Sequence, residues 1–107
     1  MKEEYKKLVR DRIPEIIREA GKECKTETFS EIQYSFALRD KLIEEALEVK
    51  AVLNDEDLIK ELADLFEVIE AILQESGISK EAVLAEQKKR RNERGGFEKR
   101  IKLIWVD

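Results

Sequence analysis

A chain of 107 residues has room for one domain and not two, since domains most often run roughly 100–150 residues. Charged residues make up 43% and apolar ones 42%, with 7% aromatic, 4 Gly and 1 Pro, a balance that suits long amphipathic helices and starves a β-rich fold. The 25 acids outnumber the 21 bases, giving net charge −4, which argues against a protein that coats duplex nucleic acid by neutralising its phosphates.

The first element follows Lys7-Leu8-Val9-Arg10-Asp11-Arg12, where Ile13-Pro14 opens a short helix, Pro being tolerated in a first turn because its missing N–H costs nothing there. Ile13, Ile16, Ile17 and Ala20 share one face, and Gly21 suits the left-handed position that ends such a helix. Thr26, Thr28 and Phe29 then lean towards β structure. From about 31 to 53 the apolar residues Phe36, Ile43, Ala46, Leu47 and Leu53 recur at helical spacing without Gly or Pro, which predicts a long helix. Asn54-Asp55-Glu56-Asp57 supplies a cap and first-turn acids for a second long helix to about 76, closed by Gly77. These two helices predict an antiparallel hairpin. Ser79 caps a fourth helix that turns basic from Lys88 to Arg94 and breaks at Gly95-Gly96. The tail Ile101-Lys102-Leu103-Ile104-Trp105-Val106 alternates as a strand does, and with 26–29 it is the candidate for a small two-stranded β element. The expected fold is therefore all-α, a hairpin or bundle of about four helices. A chain this small leaves much of its surface uncovered, so its core is expected to be completed by oligomerisation.

Histidine is absent, which removes the commonest general base and every His-ligated metal site, and the lone Cys24 cannot form an internal disulfide. No apolar run approaches the roughly 18 residues of a membrane span, and the first residues lack the apolar stretch of a signal peptide, so a cytoplasmic location is expected. Any chemistry must come from carboxylates, Lys, Arg and a hard metal ion.

With 19 Glu in the chain, Glu45-x-x-Glu48 alone means little, but position changes that. On a helical wheel Glu45 falls between Val52 and Leu38, Glu61 between Val68 and Ile72, and Asp64 between Ala71 and Val68, all within apolar arcs. Burying unpaired carboxylates costs several kcal/mol even after relaxation, so the seam demands a cation. If the turn centres near Asn54-Asp55, antiparallel packing sets Glu48 opposite Glu61 and Glu45 opposite Asp64. An all-oxygen cluster of this kind suits Mg²⁺ or Mn²⁺ sharing its coordination with substrate phosphates. On periodicity alone a second reading stands beside it, in which these acids pair with Lys41, Lys50 or Lys60 on a solvated edge. Likewise Lys88, Lys89, Arg90, Arg91 and Arg94 either complement the negative end of their helix or, for Arg94 beside its two glycines, approach a phosphate closely.

Lys41-x-x-Glu44-Glu45-x-x-Glu48, followed after 12 residues by Glu61-Leu62-Ala63-Asp64, resembles the E-E-x-x-E…E-x-x-D signature of the MazG-like all-α nucleoside triphosphate pyrophosphohydrolases. The opening Lys7 to Ile17 and the late Arg94-Gly95-Gly96-Phe97 resemble a branch of small single-domain members described as phosphoribosyl-ATP pyrophosphohydrolase-like or house-cleaning enzymes, so the likeness covers nearly the whole chain, 1–107. It implies Mg²⁺-dependent hydrolysis of a nucleoside triphosphate between its α and β phosphates. By motif position Glu45, Glu48, Glu61 and Asp64 would ligate the metal, and Glu44 would be a further catalytic acid. Lys41, Lys88, Arg91 and Arg94 would meet substrate phosphates, and either Glu44 or Glu48 would take the attacking water's proton. Arg10, Asp11 and Arg12 match a motif whose role is either phosphate binding or a structural clamp. Phe29, Tyr34, Phe36, Phe97 and Trp105 are the aromatics available to a base, or to core and interface. The expected partners are the nucleotide and a second copy, as homodimer or homotetramer, with no membrane and no nucleic acid. Competing readings are a non-catalytic dimerisation module that binds metal or nucleotide, and a nucleic-acid accessory protein acting through the basic helix end.

Overall fold

The computed structural model describes residues 6–107 and contains four helices, α1 (Ile13–Glu19), α2 (Glu31–Ala51), α3 (Asp55–Ser76) and α4 (Lys80–Arg94). Several of the boundaries have a chemical cause. Ser30 Oγ accepts the Gln33 N–H at 3.2 Å while the Gln33 side chain accepts the Ser30 N–H at 3.3 Å, a reciprocal cap that fixes where α2 begins. Asn54 accepts from Asp57 N–H at 2.8 Å and Ser79 from Ala82 N–H at 3.1 Å, starting α3 and α4 in the same way. Gly21 and Gly77 take φ values of 81° and 67°, the left-handed geometry that ends α1 and α3 without a Cβ penalty.

The main packing is α2 against α3, joined through Val52 to Asn54 as an antiparallel hairpin. The seam uses Leu38, Leu42, Glu45, Val49 and Val52 from α2 and Leu58, Glu61, Leu65, Val68 and Ile72 from α3, alternating steps of three and four residues as packed helices require. Two of these ten seam positions are glutamates. The apolar residues whose spacing marks α2 as a helix face outwards: Phe36, Ile43, Leu47 and Leu53 are 61–98% exposed. Both stripes satisfy helical spacing, and the one matched to α3 through the short turn wins. A parallel stripe on α3, Ile59, Leu62, Phe66 and Ile69, is uncovered too.

The expected β element does not form among the described residues. Segment 22–30 is tied back to α1, with Arg18 donating to the Cys24 carbonyl at 3.5 Å, and has no ladder partner. The tail leaves α4, which does not lie along the hairpin, and Ile101, Leu103, Ile104, Trp105 and Val106 stay 73–80% exposed. An isolated strand pair is marginal in water even where the two segments meet. No helix of the described residues is long and apolar enough to cross a membrane.

The chain is open in shape. Its radius of gyration is 18.3 Å, where a compact chain of this length would have about 13 Å. Its accessible surface is 10323 Å², against about 6200 Å² for a folded monomer of the same mass.

Candidate active site

The only buried charged residue among the described residues is Glu45, in the middle of α2. One carboxylate oxygen each from Glu45, Glu61 and Asp64 lie within 4.8 Å of one another. Helix geometry explains the meeting: Glu61 and Asp64 are one turn apart on α3, and the short turn brings that face onto Glu45. Glu48, one turn after Glu45 and more exposed, reaches Glu61. Glu48 meets Glu61, as its distance from the turn predicts, while Glu45 meets both Glu61 and Asp64 rather than Asp64 alone.

The electrostatics are those of acids held together against their repulsion. Burial raises the Glu45 pKa, and the Glu48, Asp64 and Glu44 charges add to that, with Lys41 partly offsetting them. Hydrogen bonding to Glu48 raises Glu61, helped by burial and by the charges of Glu48, Asp64 and Glu45. Glu45 Oε2 and Glu61 Oε2 are both buried without a hydrogen-bond partner. An orphaned buried carboxylate oxygen is among the costliest polar atoms a fold can keep, and here two residues of one acidic cluster each carry one. The residues therefore fit a hard divalent cation, which takes carboxylate oxygens and keeps some of its waters.

Cations of the chain ring the cluster without entering its centre. Lys41 Nζ stands 3.4 Å from Glu44 and 3.7 Å from Glu45. Burial pushes Glu44 up, but the Lys7 hydrogen bond at 3.3 Å and Lys41 outweigh it, so its carboxyl is held below the ordinary value. Arg10 Nη2 meets Asp64 Oδ1 at 2.6 Å. The segment before α1 is thus tied to the acids at two points. Among the described residues Arg12 pairs with Glu15 one turn on, at 3.2 Å, and Asp11 is exposed. Sequence reasoning missed Lys7: it lies in irregular chain, where no periodicity signals a partner.

A family model described as phosphoribosyl-ATP pyrophosphohydrolase matches residues 3–91. The chain belongs to that family. No curated protein and no solved structure matches it. As a phosphoribosyl-ATP pyrophosphohydrolase family member it is part of the MazG-like all-α nucleoside triphosphate pyrophosphohydrolase superfamily, and the family indicates a pyrophosphohydrolase acting on a nucleotide. The basic end of α4, however, does not join the acidic cluster of this family member. Arg91 engages Glu98 in the turn after α4, Arg90 engages Glu86 at 3.2 Å, and Lys88 and Arg94 are exposed.

The raised carboxyls set a pH dependence for the metal-stripped protein. Glu45 and Glu61 are faced by Lys41, Glu44 and Glu48 from α2, by Asp64 from α3 and, through Asp64, by Arg10. A carboxyl whose pKa is higher folded than unfolded stabilises the fold in its protonated form. Its contribution is full below the ordinary value of 4.5 and is lost as pH rises through the raised value. Glu44, being lowered, contributes in the opposite sense. Thermal melts in chelator across this range, wild type against Glu45→Gln, are expected to converge at acid pH and to separate towards neutrality, with the variant the more stable. Parallel curves would contradict the raised pKa of Glu45.

Proposed function

We propose that the protein hydrolyses a nucleoside triphosphate between its α and β phosphates, with Mg²⁺ or Mn²⁺, to the monophosphate and pyrophosphate. The observation that carries this reading is the convergence of Glu45, Glu61 and Asp64 oxygens within 4.8 Å, with two of the buried carboxylates' oxygens unpartnered. Glu45, Glu61 and Asp64 would hold the cation, with Glu48 as the fourth acid at its edge. When bound, the cation supplies positive charge that offsets the phosphates' and makes a nearby water a readier proton donor.

The chain's own groups then divide the work. Glu48, exposed beside Glu61, accepts the proton of a water arriving from solvent. Glu44 is the poorer base because Lys7 and Lys41 hold its pKa down. The water oxygen bonds to the α phosphorus, the bond from that phosphorus to the bridging oxygen breaks, and the electron pair leaves with pyrophosphate. Lys41, beside Glu45, offsets charge gathering on the departing group.

We read the open chain as one part of a homodimer or homotetramer whose copies cover Ile43, Leu47 and Leu53 of α2 and the outer stripe of α3, acting in the cytoplasm. Lys88, Arg91 and Arg94 would then reach substrate phosphates across a subunit boundary. The test is pyrophosphate release from a panel of ordinary, deoxy and oxidised nucleoside triphosphates, with and without Mg²⁺. Metal-dependent release of pyrophosphate supports the reading. Nucleotide- or metal-induced stabilisation with no release from any member would contradict it.

A further inference from the structure

A groove of about 300 Å³ is lined by residues 6–8, Phe29 and the first half of α2, with Lys41 and Glu44 among its lining residues. Those two residues also border the acidic cluster, since Lys41 contacts both Glu44 and Glu45. The groove therefore opens directly beside the proposed cation site. Its volume lies at the small end of ligand pockets, enough for one ring system with the rest of a ligand running out along the floor.

The floor presents an ordered set of chemistries. Gln33, Phe36, Asp40 and Glu44 follow one another at steps of three or four, so they line one face of α2. The Gln33 amide oxygen is already taken by the Ser30 N–H, so the groove end is offered its NH₂ as a donor. Phe36 is 67% exposed and Phe29, which also lines the groove, 36%. Asp40 is exposed, and no ion pair among the described residues engages it. At 1.5 Å per residue, Phe36 lies about 12 Å along the helix from Glu44, with Asp40 midway.

We propose that this groove is the nucleoside subsite of the same active site, and that it selects ribonucleotides. The base stacks on Phe36 and Phe29 with one acceptor on its edge met by Gln33, the ribose hydroxyls donate to Asp40, and the triphosphate passes Lys41 to reach the carboxylates. The order donor, aromatic, carboxylate, cation cluster along α2 repeats the order base edge, ring, sugar, phosphate along a nucleotide. Stacking on an aromatic side chain is sequence-tolerant, and a carboxylate accepting from a hydroxyl pair discriminates against a deoxy sugar.

This inference rests on the pyrophosphohydrolase reading, and calorimetry on the whole protein separates the two. The probes are non-hydrolysable α,β-imido analogues of the four common ribonucleoside triphosphates, their 2′-deoxy counterparts and tripolyphosphate, all with Mg²⁺. The tightest ribonucleotide analogue is expected to bind about ten-fold better than its deoxy form, and Asp40→Ala to erase that difference. Phe36→Ala is expected to weaken both about ten-fold while leaving tripolyphosphate affinity unchanged. Tripolyphosphate binding as well as the nucleotides, or Phe36→Ala and Asp40→Ala binding like wild type, would overturn the subsite and leave the reaction standing. Loss of affinity in Phe36→Ala accompanied by a change of oligomeric state would overturn it too, making the groove a subunit contact. If Glu45→Gln binds every probe as wild type does, the pyrophosphohydrolase reading itself falls.

Discussion

Glu45→Gln is expected to abolish pyrophosphate release and, at the same time, to raise the melting temperature of the metal-free protein near neutral pH. The two effects have one cause. Glu45 is 7% exposed, sits at a seam position where its neighbours in the stripe are Leu42 and Val49, and has a buried oxygen with no partner. As a carboxylate it is repelled by Glu48, Asp64 and Glu44, and only Lys41 offsets them. Replacing it with a neutral amide of the same shape removes that repulsion. In a domain of this size each kcal/mol recovered raises the melting temperature by about 4–8 °C. The same charge is what would bind the cation, so stabilisation by added Mg²⁺, which grows with the logarithm of its concentration above the dissociation constant, is expected to vanish in the variant. Differential scanning fluorimetry with and without Mg²⁺, beside a pyrophosphate assay, reads all three quantities. A variant that melts lower than wild type in chelator, or keeps its turnover, would remove Glu45 from the site.

Leu38→Ala is expected to be the most damaging apolar substitution in the chain. Leu38 is 2% exposed, and Val68 at 8% is the only other buried apolar residue among those described. Large-to-small changes at such positions cost about 2–5 kcal/mol, the transfer of the lost methyls plus the cavity left behind. Typical small domains have only about 5–15 kcal/mol in total, so the loss is a large fraction of the whole. Chemical denaturation followed by far-ultraviolet circular dichroism measures it, with Leu53→Ala as the control. Leu53 is 98% exposed, and the corresponding change there is expected to be small. Equal losses at the two positions would mean that the seam of the isolated hairpin is not where stability resides.

Much of the hairpin is legible in the sequence because its rules are local. Ser30, Asn54 and Ser79 start helices by accepting an N–H three residues on, and Gly77 ends one by adopting a left-handed φ, all within four residues of chain. The facing of the acids follows from one further fact, the position of the turn. What is not legible depends on comparing two faces that satisfy the same rule. On α2, Phe36, Ile43 and Leu47 form as good a stripe as Leu38, Leu42 and Val49, and only packing decides between them. The tail shows a similar failure: alternation marks a segment able to pair, but a strand needs a partner at the right distance, and α4 gives it none. The partners of Lys7 and Arg10 were out of reach for a third reason, because irregular chain carries no period from which a contact 37 or 54 residues away could be read.

All four acids lie on one hairpin whose arms are joined by a turn of only a few residues, so the groups that repel one another are also among the first long stretches of chain able to meet. Contacts of short sequence separation form early, before distant parts of a chain are gathered. The repulsion is then felt in the folding transition state as well as in the finished protein. Refolding of metal-stripped protein is accordingly expected to accelerate when Mg²⁺ is present from the start, with unfolding slowed to a lesser degree, and stopped-flow circular dichroism separates the two rates. A cation that only slowed unfolding would mean that the carboxylates come together late, after the helices have docked.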